Sequence, residues 1–146
     1  MVNRLKAFLP ALILAFVLGS AISTQVILAN VEAMGLEVPL DIRMSTTLED
    51  IAGMASTYLM LIAVAFILAF PVAGWLTKRL SGQRTLLFMI AGFTAVAVLN
   101  LTLTAALGIH VLPATRTLPG LLGQCLAGAA GGGCYGWLRN RQLAGN

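Results

Sequence analysis

The sequence predicts an all-α integral membrane protein, a bundle of four transmembrane helices running up-down-up-down, and three observations carry that reading. Hydrophobic residues make up 59% of the 146 positions and charged residues only 10%, where soluble globular proteins average about 25% charged. Mean hydropathy is +0.93. Four apolar stretches, near residues 7–29, 51–77, 85–108 and 119–138, each reach the roughly 20 residues that cross about 30 Å of hydrocarbon at 1.5 Å per residue. Little is left outside them. The chain reads as a single transmembrane domain with no soluble module and no convincing internal repeat.

The third observation is how the charges sort. Arg4, Lys6, Lys78, Arg79, Arg84, Arg139 and Arg141 fall on one side of an alternating four-span path, and Arg43 and Arg116 fall on the other. All five acids, Glu32, Glu37, Asp41, Glu49 and Asp50, lie in the loop between the first and second spans. That asymmetry places both termini in the cytoplasm of a cell's inner membrane. Trp75 and Trp137 fall near the same predicted inner boundary, where an indole prefers to sit. The net charge of +4 is therefore a determinant of topology, and no nucleic-acid partner is expected.

The first span opens like a secretory signal, with a basic start and a small-x-small site at Gly19 and Ala21, but its apolar run continues through Val26, Ile27 and Leu28. A retained first helix is expected. Ala11, Ala15, Gly19 and Ser23 recur at spacing four and form a small-residue stripe along it. Pro10 is placed in its first turn, where a missing N–H is tolerated. The outer loop, 30–50, mixes apolar and acidic residues and suits a short helix lying in the interface. Thr46 followed by Glu49 reads as a capping box that starts the second span near Thr47. Pro71 is expected to kink that span. Short connections then make the later helices antiparallel neighbours.

The fourth span, 119–138, carries seven of the fifteen glycines. Each interior glycine costs a helix in water about 0.8 to 1 kcal/mol relative to alanine, whereas in a bilayer small residues let helix backbones approach closely. Gly120, Gln124, Gly128, Gly132 and Gly136 form one ridge, and Gly123, Ala127 and Gly131 form a second beside it. Leu122, Leu126 and Trp137 gather within about 60° as the lipid face. Close packing against something is required, either this chain's other helices or another copy.

Six polar residues, Gln25, Ser56, Thr57, Asn100, Thr104 and Gln124, fall in the outer half of the spans. Counting rises along the helices brings Asn100 and Gln124 to comparable depth, so they are expected to form an interhelical polar layer, with Gln25 joining them. This layer is either hydrogen-bonding glue or the floor of an outward cavity. No acidic, basic or histidine side chain lies deep in any predicted span, which argues against a proton- or ion-coupled pump. His110 is the only histidine and sits in a loop; Cys125 and Cys134 lie nine positions apart on one helix and cannot bridge. No catalytic residue, metal ligand or cofactor is predicted. The functional expectation is a non-enzymatic membrane subunit that forms a homo-oligomer or joins a membrane-protein partner through the glycine-rich helix. The alternative is a passive channel or small-ligand-binding protein.

Overall fold

A computed structural model of the chain describes residues 2–79, 83–108 and 113–144, and among them all regular structure is helical. The elements are α1 (Val2–Ala33), α2 (Leu40–Met54), α3 (Thr57–Arg79), α4 (Arg84–Leu107), a single 3-10 turn (Pro113–Arg116) and α5 (Leu118–Ala144). Three stretches, Arg4–Ala33, Thr57–Arg79 and Arg84–Ala106, are long and apolar enough to cross a membrane. The glycine-rich α5 is not among them, because its glycines bring no apolar side chain. It is instead enclosed by its neighbours, with ten buried residues from Gly120 to Gly136.

That enclosure comes from the chain itself. Along α4, Gly128 lies against Gly92 and Val96, Gly132 against Phe88, and Gly136 against Thr85. A Cβ placed on Gly92 or Gly132 would run into the carbonyl of Gly128 or Phe88. Along α1, a Cβ on Gly131 would stand 2.7 Å from Ala15 Cβ and 2.8 Å from the Ala11 carbonyl oxygen, and Gly123 meets Ile22. Both contacts run antiparallel, since rising numbers on α1 and α4 meet falling numbers on α5. One glycine ridge therefore seats α4 and the other seats α1, while Leu122, Leu126 and Trp137 remain exposed.

On the far side α3 reaches α5 through long side chains. Phe70 stacks on Tyr135 with centroids 4.5 Å apart, meets Phe88 of α4 edge-on at 5.6 Å and Phe8 of α1 at 6.1 Å, and stacks on Phe66. One ring thus touches all four long helices. Aromatic pairs of this kind add about 0.5 to 1.5 kcal/mol beyond the area they bury. The core is accordingly asymmetric, with backbone against backbone on the α5 side and rings on the α3 side.

Several local expectations are corrected. Because α1 begins at Val2, Pro10 stands in its third turn rather than its first, leaving the Lys6 carbonyl without a helical donor. The capping box at Thr46 is not used. Pro39, extended at ψ 159°, ends the loop, Asp41 occupies the favourable first turn, and α2 starts at Leu40. Thr47 instead lies inside α2 and donates to the Arg43 carbonyl at 2.7 Å. The expected second span is broken at residues 55–56. Nor does α2 lie across its neighbours, for Gln25 pairs with Thr47 and Thr24 with Asp50, so it runs back along α1. The helix continues through Pro71 to Arg79. Two turns need glycine: Gly35 after α1 at φ 88° and Gly108 after α4 at φ 66°.

The basic residues of α1, α3, α4 and α5 gather at one end and the acids at the other. At the basic end Arg79 lies over the Trp75 ring at 5.4 Å and Arg141 over Trp137 at 4.0 Å. Of the other sequence features, His110 falls outside the described residues.

The glycine contacts make a graded prediction. Gly132→Ala should lower thermal stability in detergent by about 1 to 3 kcal/mol, because a methyl must be forced against backbone. Gly53→Ala, with nothing within 4 Å of its added Cβ, should be neutral or gain up to about 1 kcal/mol. Equal melting shifts for the two variants would contradict the packing described.

Candidate functional site

Chemistry-bearing side chains converge where the middle of α1 meets the α2/α3 break and the first turns of α5. On α1, Gly19, Ser20, Ser23 and Thr24 fall within an arc of about 140°, and the three hydroxyl residues are at most 1% exposed. Gln124 of α5 is fully buried opposite them. Its Nε2 donates to the Gly19 carbonyl at 2.7 Å, and its Oε1 accepts from the hydroxyl of Tyr58, the buried first-turn residue of α3. One amide thereby links three helices.

The lip of this junction is acidic. Thr24 Oγ1 lies 2.7 Å from Asp50 Oδ2 and 3.0 Å from the Ser20 carbonyl. A hydroxyl has one hydrogen, so it serves one acceptor at a time, and the carboxylate is the stronger. Asp50 of α2 is consequently tied to a residue inside the first span, half-buried at the outer rim. Ser20 Oγ faces the Met54 sulfur at 3.9 Å, a weak contact.

Ser23 stands out. Elsewhere helical threonines donate back one turn: Thr47 to Arg43, Thr94 to Ile90, Thr104 to Asn100. The corresponding acceptor for Ser23 is the Gly19 carbonyl, which Gln124 has taken. Ser23 Oγ is the one buried side-chain oxygen or nitrogen without a partner among the described residues.

The residues singled out from the sequence are placed as follows. Gln124 bonds to α1 and α3. Asn100 is buried level with it, since Val96 faces Gly128 across the antiparallel pair, but its amide donates to the Val96 carbonyl of its own helix at 2.9 Å. Thr104 donates to the Asn100 carbonyl at 2.8 Å. Gln25 is exposed, accepting from Arg43 at 2.8 Å and pairing with Thr47 at 3.3 Å. Ser56 and Thr57 are exposed at the helix break. Of the small-residue set, Ala11, Ala15 and Gly19 meet α5, Gly123 and Gly131 meet α1, and Gly128, Gly132 and Gly136 meet α4; Gly120 abuts the Ala114 carbonyl of the 3-10 turn, and Ser23 is the orphan hydroxyl.

Sequence reasoning missed Tyr58, Thr24 and Asp50. The spacing of Ser20, Ser23 and Thr24 beside the small stripe carried part of that signal. Two open clefts lie away from the junction, one around Glu32 and Gly35 to Pro39, the other around Arg84, Thr85 and Asn140. No cluster of three metal-ligating side chains occurs among the described residues. Tyr58 faces an amide, which takes no proton, so the junction orients helices rather than activating a nucleophile. Comparison with known proteins finds no relative: no family model, curated protein or solved structure matches the chain.

A double-mutant cycle tests the junction. Tyr58→Phe alone should cost about 0.6 kcal/mol and at most about 1.7, by stranding Gln124 Oε1. Adding Gln124→Leu should show coupling, whereas Asn100→Leu should combine with either additively. Coupling of Asn100 to Gln124 as strong as that of Tyr58 would contradict this arrangement.

Proposed function

We propose that the chain is a small, non-enzymatic, four-span subunit of an inner-membrane complex, with both termini cytoplasmic and its acidic loop outside. The observation that carries the reading is where the polar groups go. Gln124, Tyr58, Asn100 and Thr24 are all engaged within the chain, and the space between the helices is filled by Phe66, Phe70, Phe88 and Tyr135. Among the described residues only the Ser23 hydroxyl is buried without a partner. The arrangement favours a scaffold over a channel.

Membrane crossing by α5 is supported by its partners: it packs along α1 and α4 over most of its length, both of them apolar enough to span. Shielded by them, it needs little lipophilicity of its own. The basic end with its Trp–Arg pairs suits the cytoplasmic interface. Because α1 and α4 occupy the glycine ridges, association with another protein uses other surfaces.

Native mass spectrometry on protein extracted gently from its own membrane tests the reading. The expected species contains this chain with a foreign chain in fixed stoichiometry. A free monomer or a homo-oligomer would contradict it.

A further inference from the structure

The outer part of α2 is held by α1. Pairing of Gln25 with Thr47 and of Thr24 with Asp50 puts Ser45 level with Leu28, and the contact of Gly123 with Ile22 puts the start of α5 near the same level. Residues 40–44 of α2 therefore extend up to about 7 Å beyond the start of α5. None of α2 is buried. The face holding Arg43, Thr47, Asp50 and Met54 lies on α1. About a quarter turn round, Leu40, Met44 and Leu48 form an apolar stripe at spacing four, 73%, 63% and 66% exposed. A soluble-facing helix rarely leaves such a row uncovered.

We infer that this stripe docks into an apolar groove, flanked by lysines or arginines, on the outer face of a partner membrane protein. The inference rests on the subunit reading and supplies the partner's chemistry. Charge selects the occupant. Glu37, Asp41 and Glu49 are exposed around the stripe, and the single arginine of the arm, Arg43, is already bonded to Glu32 at 2.5 Å and to Gln25. A second copy would bring acid against acid, because the outer ends of the described helices offer only Arg43 and Arg116 in return. Anionic lipid headgroups are disfavoured for the same reason. The arm is also pre-set. Its bonds from Arg43 and Thr24 hold α2 on α1, so little ordering is required on docking, and anchors at i, i+4 and i+8 are those of a helix laid in a groove.

A photo-crosslinking residue placed in the full-length protein at Met44 or Leu48, with Thr46 on the opposite side of α2 as control, tests this in native membranes. The expected product is one foreign chain crosslinked from positions 44 and 48 and not from 46, through a segment carrying Lys or Arg. Combined Glu37→Lys, Asp41→Lys and Glu49→Lys should cut its yield about tenfold while leaving thermal stability unchanged. Crosslinks to lipid, to a second copy, or to nothing overturn the inference. If native mass spectrometry shows a foreign chain that the arm does not reach, only the arm assignment falls; if it shows none, the subunit reading falls and this inference with it.

Discussion

The close approach of α5 to α4, with Gly92 against Gly128 and Gly132 against the Phe88 carbonyl, is the constraint on which the other contacts depend. Lipid is as apolar as any side chain, so helices in a bilayer gain from association chiefly through dispersion at short range and through hydrogen bonds. Removing side chains from one helix lets two neighbours come to backbone distance. Once α1 and α4 are drawn onto the two adjacent ridges of α5, the remaining helix cannot do the same. The gap toward α3 is closed by rings instead, and Phe70 is their hub.

The polar groups fall into place from the same geometry. Gln124 sits one turn before Gly128 on α5, where the absence of a side chain at Gly19 leaves room for its amide. Its reach to Gly19 and Tyr58 fixes α1 and α3 against α5 at one level. The hydroxyl of Ser23 is left unmatched as a consequence. Beyond that level α2 runs back along α1, held by Arg43 and Thr24, and the acids of the chain collect there.

Much of this is readable from residue order, and the exceptions have physical causes. The apolar runs that became α1, α3 and α4, and the close packing of the glycine-rich α5, are legible because they depend on composition and on one helix's own periodicity. The start of α2 at Leu40 is hidden because a capping box is a local pattern, whereas Pro39 and the fit of α2 along α1 decide the outcome. Asn100 and Gln124 show what depth alone lacks: they lie at one level, but their bonds point in different directions, which only the azimuth of each helix determines. Tyr58 and Thr24 read as neutral in a hydropathy count, so their partners emerge only when α1, α3 and α5 are assembled. Gly92, an isolated glycine in an apolar run, gives no ridge of its own, yet it supplies a backbone-close approach to α5.

The central claim is that the glycine ridges are filled from within a single chain. Solid-state NMR on protein in lipid, with glycine backbones carbon-13 labelled, measures this directly. The account predicts through-space correlations between Gly92 and both Gly128 and Gly132 that persist when labelled protein is diluted into an excess of unlabelled protein. Their absence, or their loss on dilution, would mean that the ridges face another copy and would contradict it.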